Sequence, residues 1–299
     1  MGEKLWKALK AILVLAVVGG AFAFGLAVLG LLAAGEAYFD EDEPAIGLIR
    51  IEGGIYDAQP VLDQVEKLRK LGRLEAVLVR IDSPGGAIGA SQEIYSALRE
   101  FRADSVPVVV SMGNMGASGG LYASLAGDKV FALPGTITGS IGVISTFPDA
   151  TELLGKIGVQ FNTVKTGDLK DAGSPYRKMN AKDKAAFDKL VGEMFDQFVG
   201  DVALERNLSA DSVRKLADGS VLSGRQAVAA GLVDTLGTWH DALAYVRELR
   251  GLDDEVPVHE ALPKKSFAER VLDYSTKTFR PLESRLKSTL RWELPGISR

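Results

Sequence analysis

From residue 45 onward, three short runs of β-branched and aliphatic residues, 46–51, 76–81 and 106–112, are each followed by a segment with helical spacing, 61–71, 88–101 and 118–126. This alternation points to an α/β core, because strands that pair in parallel need a crossover and a helix supplies it. Further apolar runs at 129–133 and 159–165 read as added strands. A long amphipathic helix is expected from Asn180, a good N-cap, towards Glu205, and Ser209 and Ser223 read as caps of two shorter helices. No internal repeat of useful length is present, which excludes a solenoid. The α/β domain is assigned to 45–250.

The N-terminus has a different pattern. Lys4, Lys7 and Lys10 precede an apolar or glycine run over 11–35, and Glu36, Asp40, Glu41, Asp42 and Glu43 follow it. Crossing a bilayer takes about 20 apolar residues, whereas a secretory leader has an apolar stretch of about 7–15. The run exceeds both, so 11–35 is expected to be a single transmembrane anchor. Residues 1–10 would then be cytoplasmic, 36–44 an acidic linker, and Trp6 and Tyr38-Phe39 would mark the two interfaces. The α/β domain is thereby expected outside the cytoplasmic membrane, with lipid contact through the anchor. Cleavage after the small residues near Ala33 and Ala34 is the alternative. The segment 251–299 becomes basic, and Leu282, Leu286 and Leu290 suggest a terminal amphipathic helix. Its charges would solvate that helix, meet anionic lipid or seal a neighbouring subunit.

Composition narrows the chemistry. A net charge of −4 gives no global attraction for nucleic acid, so no nucleic-acid partner is expected. The chain has no cysteine, which removes disulfides, thiol catalysis and cysteine-ligated metals. With only His240 and His259, neither a metal site nor a cofactor is expected, and a histidine triad would have to recruit one of those two.

Three glycine-rich segments are candidates for the chemistry. Ser83-Pro84-Gly85-Gly86 falls where the strand over 76–81 should give way to a helix, and backbone N–H groups exposed there would receive an oxyanion. Taken alone it is more often an ordinary turn. Met115-Gly116-Ala117-Ser118-Gly119-Gly120 puts Ser118 at a helix N-terminus between glycines that admit a substrate carbonyl. The competing reading is that Ser118 merely caps the helix. In Thr166-Gly167-Asp168-Leu169-Lys170-Asp171-Ala172-Gly173-Ser174-Pro175 a lysine occupies a turn-rich loop, where most lysines are solvated and inert. A lysine serves as a base for a serine when its amine is neutral near the working pH, about 3 units below the reference of about 10.4. Burial without a counter-ion supplies that shift, so Asp171 must point away from Lys170.

Together these motifs resemble the signal peptide peptidase A group, also called protease IV, of serine–lysine peptidases in the Clp protease and crotonase superfamily. The residues carrying the resemblance are Ser83-Pro84-Gly85-Gly86, Ala117-Ser118-Gly119-Gly120, Gly139-Ser140-Ile141-Gly142-Val143, Lys170-Asp171 through Gly173-Ser174-Pro175 to Arg177 and Met179, and Gly231-Leu232-Val233-Asp234. It covers about 45–245. It implies a Clp-like repeated strand–helix fold and a serine endopeptidase with Ser118 as nucleophile and Lys170 as general base. The N–H groups of Gly86 and Gly119 would form the oxyanion hole, with Gly85 a competing donor, and Ser140 would orient the lysine amine. It also implies remnant signal peptides or other short apolar peptides as substrates, and a homo-oligomeric ring in which neighbouring chains complete the dyads. Leu121 departs from the aromatic residue that many members carry there, and bears on pocket shape.

Two other readings compete. Gly116-Ala117-Ser118-Gly119-Gly120 satisfies G-x-S-x-G, so an esterase using Ser118, Asp234 and His240 is a rival, although His240 reads as the start of an amphipathic helix. A catalytically silent membrane scaffold, or more distantly a crotonase-like acyl-CoA enzyme, would keep the fold without the peptidase chemistry.

Overall fold

The structure, a computed structural model, describes residues 43–261 and, within the N-terminal run, Gly19. In chain order the elements are β1 (Ala45–Ile55), α1 (Gln59–Arg69), β2 (Leu74–Gly86), α2 (Ile88–Ala103), β3 (Val108–Ala117), α3 (Gly119–Ser124), β4 (Lys129–Ala132) and β5 (Ile137–Gly139). There follow α4 (Thr151–Lys156), α5 (Ala181–Glu205), α6 (Ala210–Leu216), β6 (Val221–Ser223), α7 (Gly224–Ala229), β7 (Thr235–Leu236), α8 (Trp239–Arg250) and β8 (Val258–Glu260). The expected anchor over 11–35, Gly19 apart, and the helix expected around Leu282, Leu286 and Leu290 lie outside the described residues. Among the described residues no helix is long and apolar enough to cross a membrane.

One mixed sheet organises these elements in the order β6-β5-β3-β2-β1-β8. Every pairing is parallel except β5 with β6. The central strands read as nearly continuous aliphatic runs because both sheet faces are covered. Their alternation sorts the residues cleanly. Ile49, Ile51, Val77, Val79, Ile81, Val108, Val110 and Met112 enter one core with the apolar faces of α1, α2, α3 and α5, whereas Ile46, Ala76, Leu78 and Val109 pack under α8 through Ala242 and Val246.

At β3 the sheet forks. The first half of β3 pairs with β4 at Val109–Ser111, and the last three residues pair with β5, Met115 to Ile137 through Ala117 to Gly139. Two buried threonines of the β5 arm, Thr136 and Thr138, donate their hydroxyls to Gly113 O and Gly116 O, both at 2.7 Å. This fork carries the end of β3 away from β4.

Two expectations are corrected. The first glycine-rich segment is not a turn after β2: Gly85 and Gly86 continue the strand and pair with Gly54 and Ile55 of β1. The expected strand at 159–165 is absent, since these residues have no regular structure and are exposed throughout. A strand persists by pairing and by burying at least one face, and Val164 here is fully exposed. The capping signals hold. Asn180 and Ser223 both form capping boxes, and Ser209 accepts from Ser212 N.

Candidate active site

The second glycine-rich segment ends β3, and its position follows from the fork. Ala117 pairs with Gly139, and the Ser118 N–H donates to Gly139 O at 2.9 Å. Ser118 and Ser140 are thus the next residues along two paired strands. Both have positive φ, 52° and 51°, the left-handed side that non-glycine residues rarely adopt. Such backbone costs on the order of 1–3 kcal/mol and persists only where its surroundings enforce it. Ser118 occupies the N-cap position of α3, yet its hydroxyl makes no capping bond, so the simple capping role does not describe it. Among the described residues the hydroxyl has no hydrogen-bond partner.

The first glycine-rich segment packs directly on this serine. Gly85 has φ +91°, and a Cβ there would lie 2.4 Å from Gly119 N and 2.8 Å from Ser118 Cβ. A Cβ on Gly119 would come within 3.1 Å of Gly86 N and 2.3 Å of Ser91 Oγ. Glycine is therefore required on both sides of the contact. The N–H groups of Gly86 and Gly119 lie close together beside Ser118, and Gly119, first residue of α3, has no intrahelical acceptor for its N–H. The Gly85 N–H is already donated to Ser83 Oγ at 3.1 Å, while Ser83 Oγ donates to Gly53 O at 2.6 Å. This separates Gly85 from Gly86: the first lets the two backbones approach and the second carries the N–H beside Gly119.

Several supports of this corner had no sequence signal of their own. Asp82, one residue before Ser83, accepts from Met115 N at 3.1 Å and from Asn114 Nδ2 at 2.8 Å, which fixes the end of β3 before Ser118. Tyr122 of α3 hydrogen-bonds the Asp201 carboxylate of α5 and packs on Phe198, ring centroids 4.8 Å apart. Burial first, and then that carboxylate, raise the Tyr122 phenol above its usual range, so it stays a neutral donor. Leu121 is fully buried in the core.

The third segment is built differently. Gly173 has φ +76°, and a Cβ there would run into Phe147, which stacks on Phe187 of α5 at 4.1 Å between ring centroids. Pro175 O accepts the Ala150 N–H at 2.9 Å. Arg177 holds the buried Asp183 in the first turn of α5 through both oxygens, and also Asp171 Oδ1 at 2.7 Å. Asp171 Oδ1 also accepts Lys165 Nζ at 2.6 Å. The Arg177 guanidinium, and then Lys165, hold the Asp171 carboxyl well below the usual carboxylate range. Both cations paired with Asp171 are thus residues other than Lys170. Lys170 itself is exposed, lines an open groove with Thr166, Leu169 and Ala185, and has no side-chain partner among the described residues.

Neither rival catalytic residue joins the serine. Asp234 is held by Arg206, at 2.7 and 3.1 Å, and accepts Val130 N at 2.7 Å. His240 is an exposed residue of α8, which covers the sheet face opposite α3. Among the described residues no group of histidines and acids suits a metal ion.

The family model described as peptidase family S49 matches residues 100–253, and that of Clp protease matches 49–138. A Synechocystis protein named as a protease is 43% identical over 180 residues, covering 60% of this chain and 65% of the relative. An Enterococcus faecium protein bearing the name signal peptide peptidase SppA is 37% identical over 71% of this chain and 62% of its own length. Protease 4 of Salmonella typhi is 35% identical over 63% of this chain and 30% of its own. The chain thus spans less than two thirds of the length of these relatives. Among solved structures, a ClpP1 mutant of Listeria monocytogenes is similar with a TM-score of 0.45 and 20% identity, over 66% of this chain and 94% of that one.

Proposed function

We propose that this chain, which belongs to peptidase family S49, is a serine endopeptidase in which Ser118 is the nucleophile and Lys170 the general base. The observation that carries the reading is the Ser118 corner. A serine held at φ +52°, with no capping bond, sits where the backbone of Gly85 and Gly86 packs against Gly119. That is the arrangement an acyl-transfer transition state needs, with donors aimed at a developing oxyanion and a hydroxyl free to attack.

In this reading the neutral Lys170 amine takes the Ser118 proton and the oxygen attacks a peptide carbonyl. The Gly86 and Gly119 N–H groups hold the oxyanion, the ammonium returns its proton to the leaving amine, and water then hydrolyses the acyl-enzyme. The role of orienting the amine is assigned to Ser140, the next residue beyond the paired Ala117 and Gly139.

The amine needs a dry environment, and in the single chain Lys170 is exposed. We assign the missing cover to a second copy of this chain, in a homo-oligomeric ring whose neighbours complete each other's dyads. What supports this is the run of exposed apolar residues in the segment that leads to Lys170, Ile144, Leu153, Ile157, Phe161, Val164 and Leu169, the last of which lines the same groove as Lys170. Clusters of this kind mark contact surfaces. Short apolar peptides, remnant signal peptides among them, are the proposed substrates, supplied to the outer membrane face where the 11–35 run would anchor the chain.

The test is peptide hydrolysis by the full chain as wild type, Ser118→Ala, Lys170→Ala and a co-assembled mixture of the two variants. Each variant alone is expected to lose at least a thousandfold in kcat/KM, and the mixture to regain part of it. Activity surviving either exchange would refute the dyad, and a dead mixture would refute its formation between chains.

A further inference from the structure

Lys170 is followed directly by Asp171, the worst neighbour for an amine that must be uncharged. A free carboxylate one residue away pairs with an ammonium and keeps it protonated. We propose that Lys165 and Arg177 are positioning residues that hold the Asp171 carboxylate off the Lys170 amine. This rests on Lys170 being the base.

The geometry is specific. Asp171 Oδ1 receives Lys165 Nζ at 2.6 Å and Arg177 Nη2 at 2.7 Å from residues six positions before and six after it. Lys165 Nζ also donates to Asp168 O at 2.8 Å, which ties it across the base of the loop. Arg177 is anchored by the buried Asp183, whose Oδ2 accepts the Asn180 N–H at 3.1 Å as part of the α5 capping box. The carboxylate is therefore held by two cations, one of them fixed to the scaffold through a helix terminus. The nearest other charges oppose each other: Asp168 pairs with Lys182 of α5 at 2.9 Å, and both line the groove with Lys170. With Asp171 and Asp168 both engaged, each acidic group next to Lys170 on its own loop has a cation other than Lys170.

This arrangement separates electrostatic tuning from structural support. Removing Lys165 leaves Asp171 with one cation and frees part of its charge to act on Lys170. Removing the Asp171 charge leaves Arg177 and Lys165 as uncompensated cations near the amine. The first change favours the ammonium and the second disfavours it. Each is expected to displace the acid limb of Ser118 acylation by on the order of half to one pH unit.

The experiment follows the second-order rate of Ser118 acylation by a fluorophosphonate probe from pH 5 to pH 10, on the full chain. The wild-type rate should rise with pH along one acid limb. Lys165→Met is expected to move that limb to higher pH and Asp171→Asn to lower pH, by about half to one unit each. If both variants lower the rate but leave the limb in place, the residues serve only structure and the proposal fails. Should Lys165→Met not fold, the direction of the Asp171→Asn shift decides alone. A Lys170→Ala control separates the two levels. If it acylates with the wild-type limb, the dyad itself is wrong; if it is inert while the limb of the other variants stays fixed, only this proposal is wrong.

Discussion

The serine and lysine segments of this site are both rich in glycine, yet they are finished to different degrees. Around Ser118 the backbone is enclosed by β2, β5, α2 and α3, and every neighbouring polar group of Asp82, Ser83 and Tyr122 has a partner. Around Lys170 the loop is equally well fastened, by Gly173 against Phe147 and by the Arg177 cluster, but little covers it. The contrast teaches that fastening a segment and covering it are separate tasks. A single copy fastens both segments and covers only the serine corner.

The sharpest way to break the serine side is Gly85→Ala. The new Cβ would meet Gly119 N at 2.4 Å, backbone against backbone, in a residue at φ +91°. Loss of one aligned oxyanion donor costs about 3 kcal/mol, so kcat/KM should fall at least a hundredfold, while the Lys170 loop keeps its hydrogen-exchange protection. An unchanged rate would show that the oxyanion donors lie elsewhere.

A smaller effect separates the two sides by pH. The Asp171 and Asp183 carboxyls are both held below their ordinary range, Asp183 chiefly by Arg177. Groups with depressed values contribute stability above the unfolded carboxylate range of about 3.9, and lose it as the pH falls through the folded values. Amides of 166–180 should therefore lose protection between about pH 4 and pH 2 before those of α3 do, measured by hydrogen exchange. Simultaneous loss would mean that the lysine loop has no separate ionic fastening. The smallest change is expected from His240→Ala, which should alter kcat/KM by less than twofold, since His240 is exposed on the far face of the sheet.

Much of this was legible in the residues. Aliphatic runs of the right length gave β1, β2 and β3, and Asn180, Ser209 and Ser223 marked three helix starts because capping is a local interaction between a side chain and backbone two or three residues away. The error at 159–165 has the same origin in reverse. Valine and phenylalanine favour a strand, but the preference is realised only where a partner strand and a covered face exist, and nothing local reports either. Likewise, no local pattern tells Gly85 from Gly86. Their difference lies in Ser83 taking one N–H and α3 standing beside the other.

The amino-acid order alone therefore determined the alternating core, the glycine segments at the ends of two central strands and the placing of a serine and a lysine within such segments. These depend on spacing and on residue chemistry, which are properties of the chain itself. The tertiary structure alone decided that Ser118 takes a strained backbone free of capping, that Asp171 faces Lys165 and Arg177, and that Lys170 stays open to solvent. Those outcomes are set by what packs around each segment: the Ser118 angle by the neighbouring β2 and β5, and the Asp171 pairing by Arg177, which the first turn of α5 holds in place.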